Sequence, residues 1–254
     1  MSGILTPNFY SVIIGTELLN GRRQDAHFAF LNSELLKRGY VQKASFVIKD
    51  DPAFMADIFN LIKQDPHAVM FCYGGIGATP DDYTRKVAAL AFTKGKMAYN
   101  ETAKKLIIQQ FEQEAYPHRI EMSYLPVGAK LLDNVVNNVP GFYLENRYFF
   151  TPGFPSMSKA MVLQALNTFY VKNETKQFRK TLTAYTGENS LIDCMKKVPS
   201  HIELSSLPKI KGDKREVVLS IASSSEEQTN EFFALFEDFL QHHKIAYILG
   251  EEEA

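Results

Sequence analysis

The chain has only two cysteines in 254 residues. Cys72 and Cys194 are far apart and fit no CxxC or His/Cys spacing, which argues against a disulfide framework or a thiolate metal site. No apolar run is long enough to span a bilayer, and no basic-then-apolar stretch opens the chain as a secretion signal would. Excess charge is missing too. The 28 Lys and Arg nearly balance the 29 Asp and Glu, so neither nucleic acid nor a membrane surface is expected as a partner. The histidines lack metal-ligand spacing, no Ser/His/Asp order is legible, and no internal repeat or low-complexity segment is present. There is no Glu-rich helix of the kind that gathers metal ions in Nudix hydrolases. These absences describe a reduced, soluble, cytoplasmic protein.

What is present is organised around Gly74-Gly75-Ile76-Gly77-Ala78-Thr79-Pro80-Asp81-Asp82. Ala68 to Tyr73 before it reads as a buried strand. The segment after it, with Val87, Leu90 and Ala91 on one side, reads as a helix. A strand running through a glycine-rich turn into a helix start suits an anion, because backbone N–H groups can approach it closely. Asp81 and Asp82 put negative charge where a phosphate would sit. Either carboxylate alone reads as a helix cap. The two together beside three glycines would repel a phosphate unless a cation lay between, and Mg²⁺ is held in this way by one or two carboxylates plus substrate phosphates.

Short strands and helices alternate through this half. Asn8 to Ile14 is an apolar strand leading into Gly15-Thr16-Glu17. Asp25 opens a helix with Phe28, Leu31 and Leu35 on one face, closed by Gly39. Tyr40 to Ile48 is a strand, and Pro52 starts the next helix. Asn100 begins another, broken at Tyr116-Pro117. Met122 to Leu132 is strand-like with a turn. Two short strands, 139–145 and 148–150, then lead into Thr151-Pro152-Gly153-Phe154-Pro155-Ser156, a second turn at a helix start. The pattern predicts a mostly parallel sheet covered by helices, with ligands at the carboxyl ends of the strands.

Lys172 to Gln177 is polar and aperiodic, and reads as a linker. It divides a domain over 1–172 from a small α+β domain over 178–254. The order in the second is strand, helix, two strands, helix, strand, as in a ferredoxin-like unit. Its long helix carries Phe232, Leu235, Phe236, Phe239 and Leu240 at helical spacing, with Ser224 and Glu227 at capping-box spacing. Nothing in this half looks catalytic.

The motifs Gly15-Thr16-Glu17-Leu18-Leu19…Gly21, Gly74-Gly75-Ile76-Gly77…Thr79…Asp81-Asp82…Thr84, Pro140-Gly141-Phe142 and Pro152-Gly153-Phe154-Pro155-Ser156-Met157 resemble, in that order, the N-terminal part of the CinA (competence/damage-inducible protein A) family. That family belongs with the MoaB/Mog molybdopterin-binding domains and is similar to the domain fused to eukaryotic FAD synthase. The match covers about residues 8 to 170. The C-terminal unit looks like the middle domain of longer CinA proteins. Their nicotinamide-mononucleotide deamidase domain has no room here, so that activity is expected to be absent. Two places depart from the common pattern: Asp25-Ala26-His27 where the family often has Asp-Thr-Asn, and Gly77-Ala78-Thr79 where it often has Gly-Pro-Thr.

The resemblance implies a three-layer α/β domain and a metal-dependent pyrophosphohydrolase acting on ADP-ribose or FAD. The alternative is a module that holds molybdopterin without turnover, and a third reading is a scaffold whose site has decayed. On the hydrolase reading, Asp81 and Asp82 are the ligands of a divalent metal (Mg, Mn or Co), and Glu17 is a further ligand or general base. The phosphates are held by Gly74, Gly75, Gly77 and Thr79, with Gly15, Thr16, Asp25, Pro152, Gly153, Pro155 and Ser156 completing the ligand site. Arg85 or Arg119 neutralises phosphate charge. A nucleotide or pterin phosphate is then the partner. As relatives form closed homo-oligomers, one is expected here.

Overall fold

A computed structural model describes residue 4 and residues 6–173, 177–212 and 214–251. The chain divides into two compact units, Met1–Asn173 and Glu174–Ala254. Lys172 and Asn173 of the expected linker are described, and Asn173 is tied back to the first unit through its amide on Arg38 O and its side chain on Gly39 O. Residues 174–176 of that linker lie outside the described residues.

The first unit runs β1 (Asn8–Ile14), α1 (Thr16–Leu19), α2 (Phe28–Lys37), β2 (Gln42–Ile48), α3 (Pro52–Lys63), β3 (Ala68–Tyr73), α4 (Thr84–Thr93), β4 (Met97–Tyr99) and α5 (Glu101–Phe111). Two 3₁₀ turns follow, then β5 (Tyr124–Pro126), β6 (Lys130–Leu132), β7 (Gly141–Leu144), β8 (Tyr148–Thr151) and α6 (Pro155–Phe169). Six strands form one sheet in the order β2-β1-β3-β8-β7-β6. The first four are parallel and the last two antiparallel additions.

Alternation along the strands builds three layers. On β3, Ala68, Met70 and Cys72 pack with Phe59 of α3 and Val87 of α4. Val69, Phe71 and Tyr73 pack on the other face with Leu31 of α2 and Met161 and Val162 of α6. A strand buried on both faces has no polar alternation, which is why β3 reads as one apolar run. Local chemistry sets the helix ends: Pro52 opens α3, where the Asp51 side chain accepts from the amides of Ala53 and Phe54. The Asp25 carboxylate accepts from the amides of His27 and Phe28, starting α2.

Some elements differ from the sequence pattern. Leu90 and Phe28 are exposed, so α4 buries Val87, Ala88 and Ala91, and α2 buries Leu31 and Leu35. Met122 to Leu132 supplies two strands to different sheets, β5 pairing with β4 and β6 with β7. Pairing is set here by distant partners that a local pattern does not contain.

The second unit contains β9 (Phe178–Ala184), a short helical segment ending in α7 (Ile192–Met195), β10 (Glu203–Lys211), β11 (Lys214–Ser223), α8 (Glu226–His242) and β12 (Tyr247–Leu249). Its antiparallel sheet has the order β10-β11-β9-β12, the arrangement of a ferredoxin-like unit. Phe233, Phe236 and Leu240 of α8 are buried, with Phe232, Leu235 and Phe239 partly so around them. The helix cap is Ser225, whose side chain accepts from the Gln228 amide, one residue later than the Ser224–Glu227 spacing suggests. Among the described residues no helix is long and apolar enough to cross a membrane.

Candidate functional site

From β1 the chain crosses to β2 on one side, then returns to β3 on the other. The carboxyl ends of β1 and β3 therefore flank a topological switch point, the place where open α/β sheets bind ligands. A cleft of about 490 Å³ lies there. Gly15 and Glu17 after β1, Asp50 after β2, Gly74 to Thr79 with Asp81 and Asp82 after β3, and Pro152-Gly153-Phe154 after β8 all contribute to its lining.

Backbone geometry explains the glycines. Gly74 (φ +98°) and Gly75 (φ +69°) occupy the left-handed region. A Cβ on Gly74 would lie 2.5 Å from Ile14 O, and one on Gly75 would lie 2.3 Å from the Thr84 hydroxyl. The loop thus passes too close to β1 and α4 for any side chain.

The start of α4 pulls the loop's carbonyls toward itself. The Thr84 hydroxyl donates to Gly74 O at 2.9 Å, the Thr84 amide to Gly75 O at 2.9 Å, and Arg85 Nη2 to Gly77 O at 2.7 Å. In a trans peptide the N–H points opposite to the C=O. The amides of Gly75, Ile76 and Ala78 are therefore aimed away from α4, no residue of which lines the cleft. Together with the Gly77 amide, they have no hydrogen-bond partner among the described residues. Successive unpaired amides of this kind make an anion-binding concavity.

Carboxylates stand around this nest. Asp82 Oδ2 accepts from the Thr79 amide and hydroxyl, leaving Oδ1 without a partner among the described residues. Asp81 is exposed beside Thr79, whose hydroxyl proton goes to Asp82. Glu17 pairs loosely with Arg23 at 3.6 Å. Among the described residues no group of three or more His, Cys, Asp or Glu side chains is arranged to hold an ion. Asp81 and Asp82 carry the hard oxygen donors that an Mg²⁺-like ion would take, with water and phosphate oxygens as its further ligands.

Several residues expected at the site lie elsewhere. Arg85 is buried behind the loop, where it also donates to the carbonyls of Glu121 and Tyr124. It does not line the cleft and is not a solvated charge; its bonds brace the loop. Arg119 pairs with Glu114 at 2.6 Å and lies over the Phe111 ring, outside the cleft lining. The Thr16 amide and hydroxyl both donate to Asp50 Oδ2 at 2.9 Å, tying the ends of β1 and β2 together. Asp25 serves as the cap of α2. Pro155 and Ser156 form the first turn of α6 and do not line the cleft.

His27 is buried, 5% exposed, stacked on Tyr73 with ring centroids 4.3 Å apart. Its Nε2 lies 3.3 Å from Gly153 O, and a carbonyl can only accept, so that nitrogen carries the proton. Nδ1 then accepts from the Ser158 hydroxyl at 3.3 Å. Burial pushes the His27 pKa down, against the pull of Asp25. Sequence reasoning missed Asp50, Arg23, Asn134, Asn137, Phe111 and Met122, which also line the cleft. Only Asp50 carried a signal, its place just past the carboxyl end of a parallel strand.

A model of the probable molybdopterin binding domain matches residues 11–170. A CinA-like protein of Fusobacterium nucleatum is 28% identical over 184 residues, covering 70% of this chain and 45% of its own length. A protein of Pyrobaculum calidifontis is 32% identical over 166 residues, 61% of each. This chain thus spans about half to two-thirds of the length of these relatives. The crystal structure of the protein CinA, of unknown function, from Thermoplasma acidophilum superposes with a TM-score of 0.57 at 25% identity, covering 65% of this chain and 98% of that one. By the extent of the family match, the chain belongs to the probable molybdopterin binding domain family, and it shares its fold with the CinA-like relatives.

Proposed function

We propose that the first unit hydrolyses the pyrophosphate bond of a nucleotide of the ADP-ribose or FAD type, with a divalent metal. The observation that carries this reading is the meeting of an unpaired amide nest, Gly75 to Ala78, with the Asp81–Asp82 pair in one cleft. Amides alone suit any anion. Amides with two carboxylates suit a phosphate that arrives with a cation. Asp81 and Asp82 would hold that ion, which in such sites polarises a phosphoryl oxygen and lowers the pKa of a bound water. The nest holds phosphate oxygens through N–H groups already fixed by α4, so little reorganisation is needed as charge develops. Glu17, half-exposed at the cleft, is the candidate base.

The second reading is a binding module for molybdopterin without turnover. It is favoured by the family match and by the apolar wall of Phe111, Met122, Val139, Phe154 and Met157, which offers a planar ring a surface. Purified protein with ADP-ribose, FAD and related dinucleotides, each with Mg²⁺, Mn²⁺ or Co²⁺, separates the two. AMP release that stops on adding chelator supports hydrolysis. Tight pterin binding with no AMP release supports the module and overturns hydrolysis. The reading also takes over the cytoplasmic location expected from the composition and the homo-oligomer expected from the resemblance, the latter checked by light scattering.

A further inference from the structure

The cleft lining contains four carboxylates, Glu17, Asp50, Asp81 and Asp82, and among the described residues one cationic side chain, Arg23. The two arginines expected to face phosphate are committed elsewhere, Arg85 to backbone carbonyls and Arg119 to Glu114. Arg23 is held differently. Its backbone amide donates to Glu17 O at 3.1 Å, which fixes the loop. Its side chain is 54% exposed, 3.6 Å from Glu17 Oε1. The guanidinium also lies 5.9 Å from the centre of the Phe154 ring, a ring 56% exposed at the cleft.

We infer that Arg23 is the phosphate-contacting cation of this cleft, kept by Glu17 and Phe154 until an anion takes it. This rests on the reading of the cleft as a phosphate site. An ion pair this long and this exposed is weak. A phosphate offers the guanidinium a bidentate partner with more charge than one carboxylate. The exchange does two things at once. It places a fixed positive charge where negative charge gathers on the phosphate oxygens. It also frees Glu17 from its partner, so the candidate base becomes available only when an anion is present. The Phe154 ring keeps the guanidinium over the cleft in both states.

Isothermal titration with inorganic pyrophosphate, with and without Mg²⁺, tests the contact without any turnover. Arg23→Gln should weaken pyrophosphate binding about tenfold, and Arg23→Lys should recover part of it. Glu17→Gln should tighten metal-free binding by releasing Arg23, and that gain should vanish in the Glu17→Gln/Arg23→Gln double variant. A gain that persists in the double variant would come from lost repulsion alone and would overturn the exchange. Unchanged pyrophosphate binding by Arg23→Gln overturns the contact itself. If a dinucleotide is hydrolysed, Arg23→Gln should lower kcat/KM on the order of a hundredfold. Failure of every dinucleotide to react, with the Arg23 effects on pyrophosphate intact, would sink the hydrolase reading and leave the anion contact standing.

Discussion

The carboxylate of Asp82 accepts from the Thr79 amide at 2.8 Å and from the Thr79 hydroxyl at 2.5 Å. That closes the turn from Thr79 to Asp82, which follows Gly77. A Cβ on Gly77 would lie 2.6 Å from Asp82 Oδ2, so loop and carboxylate are packed against each other. Asp81, one residue earlier, is exposed and has no such bond among the described residues. The adjacent carboxylates thus differ in structural load.

This difference makes a pair of substitutions informative. Asp82→Asn keeps an oxygen acceptor but loses the charge that strengthens both bonds, so a stability loss of about 1 kcal/mol is expected. Asp81→Asn should change stability by less than about 0.5 kcal/mol. If both carboxylates hold a metal, both variants should lower metal-dependent turnover by on the order of a hundredfold, at a higher metal requirement. Thermal melts and a metal titration of rate check this. Near-native turnover of both at limiting Mg²⁺ removes the metal role, whatever the melts show.

Arg85 should behave as a fold residue. Arg85→Met removes the guanidinium that donates to the carbonyls of Gly77, Glu121 and Tyr124, of which Glu121 O keeps the Tyr124 amide. A cost of about 3 kcal/mol is expected from the loss of three hydrogen bonds to a charged, buried group. In a unit of this size the melting temperature should fall by roughly 10 °C. Ligand binding should weaken with it, because Gly77 O is no longer held toward α4. A variant that melts like the parent yet fails to bind would instead place Arg85 in contact with the ligand.

Much of the site was legible in the sequence because it is built from contiguous backbone. A loop that lines a cleft with glycines and backbone amides leaves its signature in one stretch, and Gly74 to Asp82 did so. The strand before it, Ala68–Tyr73, matched to the residue because burial on both faces gives an unbroken apolar run. What could not be read was direction. Arg85 looked like a charge beside a phosphate loop, but helix phase turns it behind the loop onto carbonyls. Arg23, Asn134 and Phe111 reach the cleft from separate segments, and only the tertiary fold brings them there. Asp25 was read both as the opener of a helix and as a ligand residue; the structure shows its carboxylate on the amides that start α2.

The buried histidine gives a pH dependence with a definite sign. Burial lowers the folded pKa of His27 from its ordinary value near 6.5. Between those two values the unfolded chain binds the extra proton and the folded one does not. Stability from this site is therefore full above about pH 6.5 and is lost as pH falls toward the lowered folded pKa. Protonation of Nδ1 would also remove the acceptor for the Ser158 hydroxyl. Urea unfolding at several values between about pH 7.5 and 5 should show that loss in the parent and a shallower one in His27→Asn. Equal slopes in the two proteins would mean that another group carries the acid sensitivity.

The division of the chain yields the last expectation. The residues lining the cleft run from Ile14 to Met157, within the first unit. A break at Tyr170 looks natural from sequence, but Asn173 donates to Arg38 O at 2.8 Å and to Gly39 O at 2.9 Å. Those bonds close the turn after α2, where Gly39 sits at φ +75°. A chain ending at Asn173 should therefore unfold cooperatively and bind pyrophosphate like the full chain. One ending at Tyr170 should be less stable by about 1–2 kcal/mol, from the two lost hydrogen bonds. Binding is expected to survive both cuts, because neither removes a cleft residue. A cut at Asn173 that leaves a folded protein unable to bind would show that the second unit, or the stretch leading to it, helps to build the site.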